Sequence, residues 1–244
     1  MANKLIVLIS GANQGLGYFA AEHFARAGKY KVLVGSRDLA KGQKAADELV
    51  AAGVKKEDLD VIQLDVTSDE SIEKAAKTIE DKYGRLDILV ANAGISSAPG
   101  STREHFQQLY NTNVFGHAIC TDTFLPLLRK STLPGGKRIV YVSSGLGQLT
   151  LAADKNGPYP GKLYPIYRSS KSALNMLMVH YADLLEEEGF VVCGICPGFC
   201  GTNLNAYSGP KDPRIGAKMM LTAAEAEKGD VFKKVVNEDG PFPW

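Results

Sequence analysis

The chain of 244 residues is short of net charge, of cysteine and of long apolar runs near its start, and each shortage excludes something. Its 28 basic side chains stand against 27 acidic ones, a formal net charge of +1. No basic footprint for nucleic acid and no polybasic patch for an anionic membrane follows from that balance. The opening MANKLIVLIS holds only five consecutive apolar residues, Leu5 to Ile9, too few for a secretory signal or a membrane span. DGPFPW at the other end matches no lipidation or peroxisomal signal, so a cytoplasmic protein with no membrane partner is expected. The four cysteines are Cys120, Cys193, Cys196 and Cys200, the last three within CGICPGFC. A lone C-x-x-C lacks the second ligand pair of a metal site, and FVVCGIC reads as a buried strand on which residues three apart point to opposite faces. Small core residues in a reducing compartment are the expectation, and no metal is expected.

With linkers, repeats and low-complexity segments also missing, one domain over 1–244 is expected. Its composition, 45% hydrophobic and 23% charged, is that of an ordinary globular protein. Short apolar runs alternate with helix-length amphipathic segments throughout. KLIVLIS, KVLVGS, LDVIQLD, the start of RLDILVANAG, KRIVYVSS and FVVCGIC read as strands. Helices are expected between them, including one long stretch from Thr102 to Lys130, one opened by Pro165 and one around PRIGAKMMLTAAEAEKG, before a last strand in VFKKVV. Thr67 with Glu70 fits a capping box at the third helix, with Ser68 as the alternative cap. Continuous apolar strands belong to a parallel sheet covered on both faces, and repeated βα units give an α/β, doubly wound sheet.

Chemistry enters at SGANQGLG, where Gly11, Gly15 and Gly17 occupy the turn between the first strand and first helix. Glycine permits close backbone approach and the helix start supplies N–H donors, which suits a dinucleotide pyrophosphate. Arg37 stands twenty residues past Gly17, at the end of the second strand. A carboxylate there marks NAD, whereas an arginine can grip the 2′-phosphate of NADP(H). Asp38, next in the chain, is assigned as a helix cap; a merely solvated Arg37 is the alternative. In YPGKLYPIYRSSKSALN, Tyr167 and Lys171 lie four apart in a run without Pro or Gly, so they share a helix face. Tyr159 and Tyr164 each precede a proline and are pushed toward extended or turn conformations. A phenol packed on a lysine stem is the alternative to a reactive pair.

Taken in order, SGANQGLG, LDVTS, ANAG, NTNVFG, IVYVSSGLG, YRSSK and CPGFCGT resemble the short-chain dehydrogenase/reductase family, in particular its carbonyl-reductase-like members, over essentially the whole chain. Ser10 stands where the family usually has Thr. The resemblance implies a single-domain Rossmann-type fold and a catalytic set of Ser144, Tyr167, Lys171 and Asn113. It further implies NADP(H) held by Gly11, Asn13, Gln14, Gly15, Leu16, Gly17 and Arg37. Asp65 and Val66 would flank the adenine, Asn92, Ala93 and Gly94 would shape the floor, and Pro197, Gly198 and Thr202, with Tyr167 and Lys171, would meet the nicotinamide end. The implied activity is reduction of an uncharged ketone or aldehyde with Tyr167 as general acid, its phenolate favoured by Lys171, and with Ser144 as a donor to the carbonyl oxygen. Asn113 would help hold Lys171.

Ser143 is the alternative serine, and Tyr164 is expected in a lid or the core. His23, His105, His117 and His180 are expected to be structural. Gln14 stands where many NADP-preferring relatives carry a second basic residue. A cofactor sensor without turnover, or a non-redox isomerase, dehydratase or cyclase, are the competing functions. The substrate pocket is expected from residues 96–102, 146–164 and a loop near 203–217. Ser144 and Tyr167 lie 23 apart, longer than usual in the family, so an inserted loop is expected to act as a lid. Ser169, Ser172, Met176 and Asp183 are expected on the outward side of the Tyr167 helix, a patch apolar enough only for a monomer or weak dimer.

Overall fold

Alternation along each strand feeds two separate apolar layers. In β1 (Leu5–Ile9), Ile6 and Leu8 enter one layer while Val7 and Ile9 enter the other. Ile139 and Tyr141 of β5 (Lys137–Val142) join the first, and Val140 and Val142 the second. Both faces must therefore be covered, which is why the strands read as unbroken apolar runs. The computed structural model describes residues 4–157 and 161–244; Pro158, Tyr159 and Pro160 of the inserted loop, with the expectations placed on them, lie outside the described residues.

The sheet has eight strands in the order β3-β2-β1-β4-β5-β6-β7-β8, adding β2 (Tyr30–Ser36), β3 (Leu59–Gln63), β4 (Ile88–Ala91), β6 (Phe190–Ile195), β7 (Val235–Asn237) and β8 (Gly240–Pro241). Every pairing is parallel except the last, between β7 and β8. One face packs on α1 (Gly15–Arg26), α2 (Leu39–Ala51) and α8 (Pro213–Glu225) through residues such as Phe24, Leu49 and Met220. The other packs on α3 (Asp69–Tyr83), α5 (Gly116–Arg129) and α7 (Pro165–Leu185) through Ile72, Phe124 and Met178. The chain is thus a single-domain, doubly wound α/β fold. Among the described residues no helix is long and apolar enough to cross a membrane.

Strand order reverses between β1 and β4, so the loops leaving their carboxyl ends part to opposite faces and open a crevice. The glycine turn follows β1 and ANAG follows β4, which brings both to that crevice.

Several local expectations need correction. Ser68, not Thr67, caps α3, accepting from Ser71 N–H at 3.3 Å, because the Thr67 hydroxyl is spent on Asp65 Oδ1 at 2.7 Å. The stretch from Thr102 is interrupted: α4 (Thr102–Tyr110) passes through a π-helical turn, Asn111–Phe115, into α5. VFKKVV is not one strand. Val231 ends a short helix α9 (Lys228–Val231), Lys233 takes a left-handed φ of 59°, and β7 begins only at Val235. The inserted segment starts with a short helix, α6 (Leu149–Ala153). Tyr164 is not a core residue; it is exposed, at the amino-terminal cap of α7, with φ 56°. On α7, Met176 and Asp183 do face outward, but Ser172 turns inward and donates to the Gly147 carbonyl at 2.8 Å.

The cysteine reading holds for direction: Cys193 lies in one apolar layer and Cys196 in the other, and all four thiols are free and buried. Asp38 caps α2 as expected, accepting from Lys41 N–H at 3.1 Å.

Candidate active site

The glycine turn is built so that side chains cannot enter it. A Cβ at Gly17 would stand 2.4 Å from the Gly11 carbonyl oxygen, and Gly11 and Gly15 have φ of 64° and 56°, where only glycine is unstrained. Gln14, at the cap of α1, makes no capping hydrogen bond, and the first turn carries no acidic residue. The helix start therefore keeps its N–H donors and partial positive charge for an anion, which fits a dinucleotide pyrophosphate. Asn13 and Leu16 sit half-buried in the same turn.

Ser10 fastens this turn to the neighbouring strand. Its hydroxyl accepts from the N–H groups of Asn92 and Ala93, each at 3.0 Å, while Asn92 Nδ2 donates back to the Ser10 carbonyl at 2.8 Å. The Ala93 carbonyl accepts from His117 Nε2 at 2.8 Å, and complete burial pushes that imidazole down to about 3, so it is neutral. Arg37 is exposed beyond β2, and its guanidinium has no hydrogen bond or ion pair among the described residues. Asp65 is half-buried and Val66 buried beyond β3. After β6, Pro197 is buried, Gly198 turns with φ 84°, and the chain folds back so that a Cβ at Gly15 would lie 3.7 Å from Thr202.

Tyr167, Lys171 and Ser144 are brought together by β5 and α7. Ser144 follows β5 and its hydroxyl lies beside the Tyr167 phenol, where it favours the phenolate. Lys171, one helical turn beyond, is only 4% exposed. Its ammonium lies 5.7 Å from the Tyr167 ring centre and donates to the Val142 carbonyl at 2.8 Å. Desolvation pushes Lys171 down to about 8 and the phenol up to about 12. In the chain by itself the expected lowering of Tyr167 by Lys171 is absent, because burial outweighs it.

Asn113 faces inward from the π-helical turn and is fully buried. It does not bond Lys171 directly. Its amide accepts from Ile95 N–H, donates to Ile95 O, both at 2.9 Å, and donates to the Ser170 hydroxyl at 3.0 Å. Ser170 in turn donates to the Tyr167 carbonyl at 2.7 Å, so Asn113 fixes α7 through Ser170. A Cβ at Gly94 would lie 3.4 Å from Asn113 Oδ1 and 3.7 Å from Lys171 Nζ, so these three elements meet. Ser143 is turned away, its hydroxyl given to Asn175 Oδ1 in the interior.

The family model for short chain dehydrogenases matches residues 5–213. The chain belongs to that family. A short-chain dehydrogenase of Penicillium roqueforti is 44% identical, the match covering 99% of this chain and 98% of that one. Among solved structures, an NADPH-bound carbonyl reductase from chicken fatty liver is 26% identical with a TM-score of 0.79, covering 99% of this chain and 100% of that one. A 3-ketoacyl-(acyl-carrier-protein) reductase from Brucella melitensis, complexed with NADH, shares the fold at a TM-score of 0.78 and 20% identity, covering 98% of each chain. As a short-chain dehydrogenase the chain is an oxidoreductase that uses a nicotinamide cofactor.

Two contributors were not legible as site residues. Ser170 lies within YRSSK, but nothing in that motif marks it out from the neighbouring Ser169. Cys196 reads as plain core, yet its sulfur accepts the Gly145 N–H at 3.2 Å. The thiol thereby ties the segment after Ser144 to the chain leaving β6. Cys196→Val, which leaves the Gly145 N–H unpaired, is expected to cost about 1–3 kcal/mol in urea unfolding. Cys196→Ser, which keeps an acceptor, should lose less than half of that; equal losses would show that only volume matters.

Proposed function

We propose that the protein is an NADPH-dependent reductase of an uncharged ketone or aldehyde, with Tyr167 as general acid. The observation that carries this reading is the buried Lys171 ammonium 5.7 Å from the Tyr167 ring centre, with Ser144 beside the same phenol. Bound, the nicotinamide cofactor supplies the hydride. Tyr167 holds its proton well past neutrality and is placed to give it to the alkoxide oxygen, while Ser144 donates to the same oxygen as charge develops there. Lys171 keeps a positive charge beside the phenol and would help to hold the cofactor ribose.

The glycine turn and the start of α1 are assigned to the pyrophosphate, Asp65 and Val66 to the adenine, Asn92, Ala93 and Gly94 to the floor, and Pro197, Gly198 and Thr202 to the nicotinamide end. Arg37 is assigned to the 2′-phosphate, supported by its guanidinium at the end of β2, which has no partner among the described residues. The chicken relative bound to NADPH supports the same choice. Asp38, the only neighbouring carboxylate in SRD, is engaged as the α2 cap.

NADPH oxidation measured over a panel of carbonyl compounds tests the activity. Tyr167→Phe should lower turnover at least about a hundredfold with little change in cofactor affinity, whereas Tyr164→Phe should be mild. Equal losses in the two variants would remove Tyr167 from the role. Arg37→Asp should weaken NADPH by about tenfold or more and move the preference toward NADH; wild-type kinetics that are equal for NADH and NADPH would sink the assignment.

Lys171 also sets a pH signature. Its folded value, about 8, lies below its ordinary 10.5, so the ammonium is complete below that value and is lost as pH rises through it. Catalytic efficiency for NADPH, kcat/KM, should therefore show an alkaline limb near there. Stability should move the other way: the unfolded chain holds the proton up to 10.5, so folding gains between the two values. Both trends should vanish in Lys171→Met, and a wild-type kcat/KM that stays flat through roughly pH 9.5 would contradict the assignment.

A further inference from the structure

Gln148 is 1% exposed, and among the described residues neither its Oε1 nor its Nε2 has a hydrogen-bond partner. A bare buried amide costs roughly 1–3 kcal/mol for each unsatisfied group; Met or Leu would fill the same space without that cost. The residue stands four positions after Ser144, on the segment that leaves the site. Its backbone is fully engaged, N–H to the Gly145 carbonyl at 3.2 Å and carbonyl to Ala152 N–H at 3.1 Å, so only the side chain is unmatched.

Two elements hold that segment. On α7, Ser172 and Asn175 donate to the Gly147 carbonyl at 2.8 and 3.3 Å. The carboxyl-terminal tail bridges both ends of the segment: the Phe242 ring lies 3.3 Å from where a Gly145 Cβ would be, and the Trp244 carbonyl accepts from Thr150 N–H at 3.0 Å. The tail itself is fastened by the short β7 to β8 pairing and by Phe242 N–H to the Val235 carbonyl at 2.8 Å. Apolar surface surrounds the crossing, with Leu149 71% and Trp244 49% exposed.

We propose that Gln148 is a specificity determinant whose amide receives a hydroxyl or second carbonyl carried by an otherwise apolar ketone, lodged between the segment after Ser144 and the tail. The proposal rests on the reading of the chain as a carbonyl reductase. An amide offers an acceptor oxygen and an NH2 donor group: a substrate hydroxyl donates to Oε1, and a substrate carbonyl accepts from Nε2. A substrate lacking the group leaves the amide bare, which is how a polar pocket rejects the deoxy analogue. Because Gln148 is enclosed, admission of the substrate requires the tail to lift from Thr150, breaking one backbone hydrogen bond there.

The test uses aryl ketones, each beside its singly hydroxylated isomers, with NADPH and the full-length wild type, Gln148→Met and Gln148→Leu, together with thermal melting of the three ligand-free proteins. The expected result is a wild-type preference in kcat/KM of about tenfold or more for at least one hydroxylated isomer over its parent. That ratio should fall to within about twofold in both variants, with melting temperatures no lower than wild type. A ratio that survives in the variants, or no preference in the wild type, overturns the inference while leaving the reductase reading intact. A fall in melting temperature of more than about 4 °C in both variants also overturns it, since the amide would then be satisfied by an internal water. Failure of the wild type to oxidise NADPH with any ketone overturns the reductase reading and this inference together.

Discussion

A single ammonium kept out of water organises the site. Lys171 is displaced from its ordinary range to about 8, which corresponds to about 3 kcal/mol against carrying its charge. That cost is offset by one direct acceptor, the Val142 carbonyl at the end of β5, where the parallel ladder to β6 closes with Ser143 N–H on the Ile195 carbonyl. The helix bearing Lys171 must therefore lie close against the chain leaving β5. Gly147 meets that demand, since a Cβ there would stand 2.9 Å from Lys171 backbone and side-chain atoms. The same requirement explains the π-helical turn, which directs Asn113 inward to Ser170 and so anchors α7 from the other side. His117, a second potential cation nearby, is held neutral by burial first and by the Lys171 charge second.

Much of this was legible because the relevant information was local. The Asp38 cap follows from a short acceptor before an amphipathic run, and the opposite directions of Cys193 and Cys196 follow from the period of a strand. Tyr167 and Lys171 were legible as a pair from helical spacing. The topology then carried the rest: glycine turn, ANAG, Ser144 and the Pro197 turn each leave the carboxyl end of a neighbouring strand, so a parallel sheet gathers them on one edge.

What stayed hidden depends on contacts between distant segments or on backbone geometry. Thr67 and Ser68 are equivalent caps by composition, and only the bond from Thr67 to Asp65 decides between them. A π-helical turn inserts one residue into a helix without altering its composition, so Asn111–Phe115 reads as ordinary helix. VFKKVV alternates well enough for a strand, but Lys233 in the left-handed region breaks it. Burial of a cysteine can be read from its surroundings in sequence, whereas the direction of the Cys196 sulfur toward the Gly145 N–H cannot.

The distribution of left-handed backbone separates the two halves of the crevice. At the glycine turn and just after Pro197 the positive φ values fall on Gly11, Gly15 and Gly198, where the conformation carries no steric cost. Around the inserted loop and the loop after β6 they fall on Tyr164, Ala206 and Tyr207, which have side chains. Each such residue stores roughly 1–2 kcal/mol, and Tyr164 and Tyr207 are among the most exposed aromatics of the chain, with little packing to hold them. A glycine turn cemented by Ser10 and Asn92 gains nothing by moving. The strained loops do gain, so adjustment concentrates on the side of the crevice formed by the inserted loop and the loop after β6, while the side built on the glycine turn stays fixed.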